Sequence, residues 1–146
     1  MISDKPHNPM LNGGAIMSCA LILNNIEPRS GPADKYEFVY KSLHKLGGYE
    51  FLGFNNSVFL SERASADRNF SMGYFMKEKD CFPEGADLYQ TLDLYFQTCS
   101  MEINTESLAV MGATLANGGV CPTTGEKVHK LDLQSIWSSP DDNMFL

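Results

Sequence analysis

Apolar side chains recur at intervals of three and four residues in five separate stretches of this 146-residue chain. This spacing places apolar residues on one face of a helix, so it predicts a mainly α fold. Segments containing Gly, Pro and Asn separate the stretches and predict turns between the helices. We predict helices at about 15–23, from Pro32 to the residue before Gly47, at about 65–79 and 87–101, and from Asn104 or Thr105 to Asn117.

The segments between and after these helices carry weaker signals. Residues 51–60 predict an extended or irregular stretch, and residues 121–127 predict a turn or a hairpin around Gly125. Residues 129–146 show no sustained periodicity. We therefore expect a divergent, poorly ordered tail after the last turn.

The charge and composition of the chain exclude several classes of protein. A net charge of −7 and an isoelectric point near 4.8 argue against nucleic-acid binding, which needs clustered basic side chains. No apolar stretch approaches the roughly 18 to 20 residues that cross a bilayer. The expected partners are small molecules and proteins, with no nucleic acid and no membrane. The first twelve residues also contain no recognisable targeting segment.

The four cysteines and three histidines lack the spacing of a metal site. Cys19, Cys81, Cys99 and Cys121 are far apart in sequence, so neither a zinc site nor a disulfide framework is expected. We interpret them as reduced, buried residues that pack as small hydrophobic side chains. The sequence predicts no cofactor and no metal ion.

A rigid polar segment precedes the first predicted helix. It runs from Lys5 to Gly14, where two prolines restrict the backbone and two glycines allow a ligand or another segment to come close. Asn12, near the end of this segment, is either a plain helix N-cap or a ligand-binding amide. The residues alone leave both interpretations open.

A second polar segment, Ser61 to Asn69, places four ionisable side chains within nine residues at the start of a predicted helix. It is either a solvated first turn with local ion pairs or part of a binding site. In one continuous helix Glu62 and Asn69 would lie on one face, about two turns or roughly 10 Å apart, and a bend would shorten that distance. A free amino acid can bridge two such side chains.

Tyr95, on the fourth predicted helix, is a further candidate contact. A carboxylate such as that of Glu62 pairs with an α-ammonium group, while an Asn amide and a Tyr hydroxyl donate hydrogen bonds to an α-carboxylate. Alternatively, Tyr95 is an ordinary core residue of an amphipathic helix. Its position alone does not decide between these two roles.

One short pattern matches a known nucleophile motif. Residues Ser42 to Lys45 fit S-x-x-K, in which a lysine activates a serine. Ser42 lies well inside the second predicted helix rather than at its exposed start, so we interpret the pattern as part of a solvated helix face. The sequence therefore offers no convincing nucleophile.

Four long strings resemble the animal-type glutaminases, in the order and close to the spacing of that family. Strings of this length are much more specific than any single short motif. The resemblance extends over about residues 4–128. The strings are KPHNPMLNGGAI (5–16), SERASADRNFSMGYFMKEKDCFPEG (61–85), LDLYFQTCS (92–100) and ATLANGGVCPTTGEKV (113–128).

The resemblance implies hydrolysis of L-glutamine to L-glutamate and ammonia on a serine β-lactamase/transpeptidase-like fold. That fold joins a helical subdomain to an α/β subdomain, and residues 4–128 resemble mainly the helical part of an incomplete catalytic domain. The glutamine-binding positions of the family match Asn12, Glu62, Asn69 and Tyr95. These are the same four residues that the local chemistry indicates.

The resemblance also implies that parts of the catalytic machinery lie outside this chain. The S-x-x-K nucleophile of the family stands well upstream of the KPHNPM string. Its later catalytic tyrosine and its Gly-rich oxyanion loop follow the C-P-x-T-G-E turn, where residues 129–146 do not resemble the family. We therefore expect the chain alone to lack glutaminase activity, since acyl transfer needs these groups together.

Partners and a compartment follow from the same resemblance. L-Glutamine and L-glutamate are the expected ligands, and glutaminase subunits, tetrameric in the family, are the expected protein partners through the helix at about 67–80. Phe75 occupies a position that is usually Tyr in animal members.

The family implies a mitochondrial location, although a cytosolic location stays open. A catalytically silent protein that binds glutaminase subunits is the alternative function.

Overall fold

The computed structural model describes Pro6, residues 8–26 and residues 31–128. The described residues form six helices and one pair of short strands, which confirms the prediction of a mainly α chain. The predicted tail at 129–146 lies outside them. In chain order the elements are α1 (Asn12–Asn25), α2 (Pro32–Leu46), β1 (Leu52–Phe54), α3 (Asn56–Ala64), α4 (Asp67–Glu78), α5 (Leu88–Cys99), β2 (Met101–Ile103) and α6 (Thr105–Ala116).

The chain divides into two compact units. The first unit contains residues 1–37 and 54–101, and the second contains residues 38–53 and 102–146. Helices α1, α3, α4 and α5 belong to the first unit and α6 to the second, while α2 crosses the boundary. No helix among the described residues is both long and apolar enough to cross a bilayer.

Helix α5 is the centre of the first unit, because α1, α3 and α4 all pack against it. Its Leu92 and Phe96 are fully buried, as is Ile16 of α1. The helix begins where the Asp87 side chain accepts a hydrogen bond from the Gln90 N–H at 2.8 Å. Each such buried apolar side chain contributes about 1.5–3 kcal/mol, so α5 forms a fixed frame for its neighbours.

A tight turn holds the start of α1. The Asn8 side chain accepts the N–H of Met10 at 2.9 Å, and its carbonyl oxygen accepts the N–H of Leu11 at 3.2 Å. A Cβ at Gly14 would overlap that carbonyl oxygen. Glycine is required here because the backbone of the turn passes so close to the helix. The expectation of a close approach at this glycine is confirmed.

The stretch predicted to be extended or irregular, residues 51–60, is so only as far as residue 55, and the prediction was wrong for residues 56–60, which are helical. Only β1 is extended, and α3 follows it at once. The Asn55 side chain accepts the N–H of Val58 at 3.1 Å and caps the helix. The capping asparagine, rather than the β-favouring Val and Phe residues around it, decides the local structure.

The helix predicted at 65–79 begins later, at Asp67, because Ser65 and Ala66 form a break after α3. Ser65 is the C-cap of α3, and Ala66 is the N-cap position of α4. The second polar segment therefore contains a bend rather than one continuous helix. Glu62 and Asn69 lie on two different helices.

The pairing of two short strands was not predicted from the sequence. β1 and β2 form a two-stranded sheet, and each has three residues. The helix predicted to continue to Met101 ends at Cys99, with Ser100 as its C-cap. The Ser100 carbonyl oxygen instead accepts the N–H of Asn55 at 2.8 Å. Such pairing between distant parts of the sequence leaves no local signal.

In the second unit, α6 buries Ser107, Met111 and Thr114 on one face. The Thr114 hydroxyl donates to the carbonyl oxygen of Leu46 at 2.9 Å and so joins α6 to the end of α2. Helix α2 stops there as predicted, because Gly48 adopts a φ of 68°.

The hairpin predicted around Gly125 is confirmed. Val120 and Lys127 form an antiparallel bridge, and the Cys121 N–H donates to the Glu126 carbonyl oxygen at 2.9 Å. Gly125 has a φ of 72°, which closes the turn.

Candidate functional site

The four predicted site residues lie on four different helices of the first unit. Asn12 is the first residue of α1, Glu62 lies in the last turn of α3, Asn69 in the first turn of α4, and Tyr95 near the end of α5. Because α1, α3 and α4 all pack on α5, the fold collects side chains that are far apart in sequence.

Tyr95 is buried on α5, with 7% of its surface exposed. Burial raises the pKa of its hydroxyl group, and a hydrogen bond with Cys99 and the negative charge of Glu62 raise it further. The hydroxyl therefore keeps its proton at neutral pH and can donate a hydrogen bond. Tyr95 is a core residue that also carries a polar group beside a carboxylate.

Glu62 is half-buried and electrostatically linked to two residues of α5. Burial raises the pKa of the Cys99 thiol, and the negative charge of Glu62 also raises it. Glu62 has the same effect on Tyr95. A carboxylate, a phenol and a thiol are therefore neighbours where α3 meets α5.

Asn12 and Asn69 are linked through their neighbours. A Cβ added at Gly13 would lie 3.4 Å from the Met72 sulfur and 3.8 Å from the Met76 sulfur, so the start of α1 lies against α4. Asn69 lies one turn before Met72 on the same side of α4. The start of α1 therefore packs against the middle and last turn of α4, and Asn69 lies in the first turn of that same helix.

The interpretation of Asn12 as a plain N-cap is wrong. Leu11 occupies the N-cap position of α1, and Asn12 is the first helical residue, with its surface exposed. Within the described part of the chain, no hydrogen bond or ion pair joins either asparagine directly to Glu62 or Tyr95. The structure thus links Glu62 with Tyr95 electrostatically and places Asn12 and Asn69 on two other helices that pack in the same unit.

Cys99 was not predicted as part of the site. The chain has no disulfide, and Cys19 and Cys121 are buried as expected, but Cys99 is exposed and Cys81 is half-buried, which corrects the prediction for those two. The four-residue spacing from Tyr95 to Cys99 on a predicted helix was the signal that could have placed them together.

A second feature that sequence reasoning did not single out is an ion pair between Arg63 and Asp93. The Arg63 Nε and the Asp93 Oδ1 are 3.2 Å apart, and the pair joins α3 to α5. Arg63 directly follows Glu62, and Asp93 comes two residues before Tyr95. Local ion pairs were considered in the second polar segment, but this one reaches another helix.

The rejected S-x-x-K pattern is explained by its contacts in the second unit. The Ser42 hydroxyl donates to the Phe38 carbonyl oxygen at 2.7 Å, one turn earlier in α2. The Lys45 ammonium pairs with the Glu126 carboxylate at 3.5 Å. Both groups have other partners in the structure, and these contacts are those of an ordinary helix surface.

No group of three or more His, Cys, Asp or Glu side chains within the described ranges is arranged to hold a metal ion. The chemistry available near Tyr95 is that of hydrogen-bond donors and one carboxylate. Such a set can bind a small zwitterion.

Comparison with known proteins identifies the family. The sequence matches the glutaminase family model over residues 1–138. The chain belongs to the glutaminase family. The mitochondrial liver isoform of glutaminase from Rattus norvegicus is 53% identical over 123 residues, which are 84% of this chain and 20% of that protein. Glutaminase 2 of Clostridium perfringens is 41% identical over 126 residues, which are 86% of this chain and 39% of that protein.

Solved glutaminase structures have the same fold as this chain. The probable glutaminase from Bacillus subtilis complexed with 6-diazo-5-oxo-L-norleucine has a TM-score of 0.72 and is 34% identical, covering 85% of this chain and 38% of that one. The fold class is confirmed as a mainly α portion of the serine β-lactamase-like glutaminase fold. The chain spans about a fifth of the length of the animal relatives that it matches.

Proposed function

We propose that residues 4–128 are part of a glutaminase catalytic domain and supply one side of an L-glutamine-binding site. In the complete domain, this site serves the hydrolysis of L-glutamine to L-glutamate and ammonia. The observation that carries the proposal is the packing of α3 on α5, which brings the charge of Glu62 within electrostatic reach of Tyr95, in a chain of the glutaminase family. Asn12 and Asn69 on the neighbouring helices complete the proposed set.

Each member of this set has a role that its chemistry supports. The Glu62 carboxylate binds the α-ammonium group of the amino acid through charge-assisted hydrogen bonds. The Tyr95 hydroxyl, held in its protonated form, donates to the α-carboxylate. The amides of Asn12 and Asn69 provide further donors for the α-carboxylate or for the side-chain amide of glutamine. No cofactor is needed for this recognition.

A related structure supports an amino-acid ligand. The Bacillus subtilis protein that resembles this chain is complexed with 6-diazo-5-oxo-L-norleucine, an amino-acid derivative by its name. We propose that the nucleophile and its base come from other parts of the complete domain. The contacts of Ser42 and Lys45 support this view, because both groups are already engaged.

The binding proposal is tested by calorimetric titration of the full 146-residue chain with L-glutamine and L-glutamate. We expect weak but stereospecific binding, with no heat from D-glutamine. Glu62→Gln removes the carboxylate charge and is expected to weaken binding roughly 10- to 100-fold, the loss of one hydrogen bond to a charged group. Tyr95→Phe is expected to weaken it about tenfold for the same reason. Asn12→Ala and Asn69→Ala should lower the affinity less.

The matched control is Glu84→Gln, which removes an exposed carboxylate after α4 and should leave the affinity unchanged. Equal affinity in Glu62→Gln and the unsubstituted chain would contradict the proposed site. The catalytic part has its own test, since the purified chain should release no ammonia from L-glutamine above a buffer blank. Ammonia release would show that the chain contains a nucleophile of its own.

We also propose glutaminase subunits as protein partners. The outer faces of α4 and α5 expose Tyr74, Phe75 and Tyr89, each about half exposed. The Tyr74 and Tyr89 hydroxyls are hydrogen-bonded at 2.9 Å, so these two tyrosines form one aromatic surface. An apolar surface of this kind supports a protein contact. Co-purification with a full-length glutaminase should occur and should be lost in Tyr89→Ser.

We propose a mitochondrial location for the complete protein. The support is the name of the rat relative, which is a mitochondrial liver isoform. Subcellular fractionation of cells that express the gene should place the protein with the mitochondrial matrix. Recovery in the cytosolic fraction alone would contradict this location without affecting the proposed binding site.

A further inference from the structure

We propose that the Arg63–Asp93 ion pair is a positioning pair that holds Glu62 of α3 at its working distance from Tyr95 of α5. By doing so the pair sets the affinity of the site for the α-amino and α-carboxylate groups of its ligand. This inference rests on the proposed function and adds two residues that do not themselves touch the ligand.

The ion pair joins the same two helices as the candidate site, at neighbouring positions. The Arg63 Nε lies 3.2 Å from the Asp93 Oδ1. Arg63 is the residue after Glu62, and Asp93 lies a little over half a helical turn before Tyr95. A tether so close to both ligand-binding side chains limits how far α3 can slide or rotate relative to α5.

Helix α3 packs on α5 through side chains that stay partly exposed. It has nine residues and none of them is buried, whereas α5 buries six of its twelve. Other anchors lie nearer its N-terminus, where the Phe59 and Phe54 ring centroids are 6.1 Å apart and the Asn55 N–H donates to the Ser100 carbonyl oxygen. Glu62 lies toward the opposite end of the helix. The ion pair is therefore the polar contact nearest to Glu62 that crosses to α5.

The ion pair is too exposed to be explained by its contribution to stability. The Arg63 and Asp93 side chains are 57% and 42% exposed, so solvent screens their attraction. Exposed pairs contribute about 0–1 kcal/mol to folding. Loss of the pair should therefore lower the melting temperature little, so a clear loss of ligand affinity would reflect the position of Glu62 and not unfolding.

The electrostatic link between Glu62 and Cys99 gives a test that needs no ligand. Glu62 raises the pKa of the exposed Cys99 thiol, whose other neighbours are Tyr95 and its buried surroundings. If Arg63→Ala lets α3 move away, the pKa of Cys99 should fall. If Arg63 acted only through its own charge, removing that cation should raise the pKa of Cys99. The two explanations therefore predict opposite changes in the pKa of Cys99 when Arg63 is replaced by alanine.

The experiment measures alkylation of Cys99 against pH by peptide-resolved mass spectrometry, using the full chain. Arg63→Ala should lower the apparent pKa of Cys99, as should Glu62→Gln. The double variant Glu62→Gln/Arg63→Ala should match Glu62→Gln alone, because the arginine acts through the glutamate. Arg63→Lys keeps the ion pair and should rescue most of the effect.

The matched control is Lys45→Ala. It breaks the Lys45–Glu126 pair of the second unit, which is 3.5 Å long and similarly exposed. This control should change neither the pKa of Cys99 nor ligand binding.

Titration with L-glutamate provides the second measurement. Arg63→Ala and Asp93→Ala should each weaken binding by up to about fivefold, the most that a pair worth about 1 kcal/mol can contribute, with melting temperatures that match Lys45→Ala. An unchanged or raised pKa of Cys99 in Arg63→Ala would overturn the positioning role, as would a melting temperature lowered well beyond that of the control. If the unsubstituted chain binds neither amino acid, the proposed function fails, while alkylation of Cys99 still decides whether the pair positions Glu62.

Discussion

At the scale of single residues, Gly14 makes the sharpest steric demand in the first unit. A Cβ at this position would overlap the carbonyl oxygen of Asn8, and that oxygen belongs to the backbone of a tight turn. Gly14→Ala should therefore destabilise the fold by about 1–3 kcal/mol, the usual cost of overpacking. Urea denaturation followed by circular dichroism measures the change.

Gly112 provides the matched control because it also lies within a helix, α6, and nothing would lie within 4 Å of an added Cβ. Gly112→Ala should stabilise the chain by about 0.4–1 kcal/mol, since alanine restricts the unfolded chain and favours helix. Equal effects of the two substitutions would mean that the turn at Asn8 moves easily.

Cys121 is the described residue whose pKa is lowered from its usual value by a large amount. Hydrogen bonds from the Thr123 and Thr124 side chains lower its pKa to about 6, although the residue is fully buried. An unfolded cysteine has a pKa of about 8.5, so the folded state favours the thiolate. The lowered pKa of Cys121 therefore stabilises the folded state above about pH 8.5, and this stabilisation is lost as the pH falls toward 6.

Thr123→Val removes the first of these donors and should move the thiolate titration of Cys121 to higher pH. Ultraviolet absorbance of the thiolate against pH measures the shift. The substitution Thr105→Val, at the exposed start of α6, should leave the titration in place. An unchanged titration in Thr123→Val would show that the hydroxyl does not hold the charge.

At the scale of secondary structure, the start of α5 depends on one side chain. Asp87 accepts the N–H of Gln90, so Asp87→Ala should lower the free energy of unfolding by about 1 kcal/mol. Asp87→Ser retains an acceptor and should stay within a few tenths of a kcal/mol of the original. The midpoints of urea denaturation compare the variants. Equal destabilisation by Ala and Ser would show that the cap contributes little.

The sequence predicted those helices whose ends carry strong local signals. Pro32 and Gly47 bracket α2, and Asn104 caps α6 as expected, with its side chain accepting the Ser107 N–H. Helix α3 was missed because aromatic and β-branched residues surround its cap. The strands were missed because their pairing depends on partners far away in the sequence.

The candidate site was likewise predictable from the sequence only in part. The identity of Glu62 and Tyr95 follows from long family-like strings, and the burial of Tyr95 follows from helical spacing. Their proximity does not follow, because it requires the break at Ser65 and the packing of α3 on α5. The Arg63–Asp93 pair is equally a product of tertiary structure, since no local pattern relates those two positions.

At the scale of the whole molecule, the outer face of α6 predicts how the chain behaves in solution. Leu108 and Leu115 are each 57% exposed, and the space beside Gly112 between them is open. Exposed apolar surface of this kind favours association. We expect the apparent mass in size-exclusion chromatography to increase with protein concentration. Leu108→Gln/Leu115→Gln should remove this dependence, whereas Leu108→Met/Leu115→Met should retain it because the face stays apolar. A mass that is constant in the unsubstituted chain would contradict a role for this face in association.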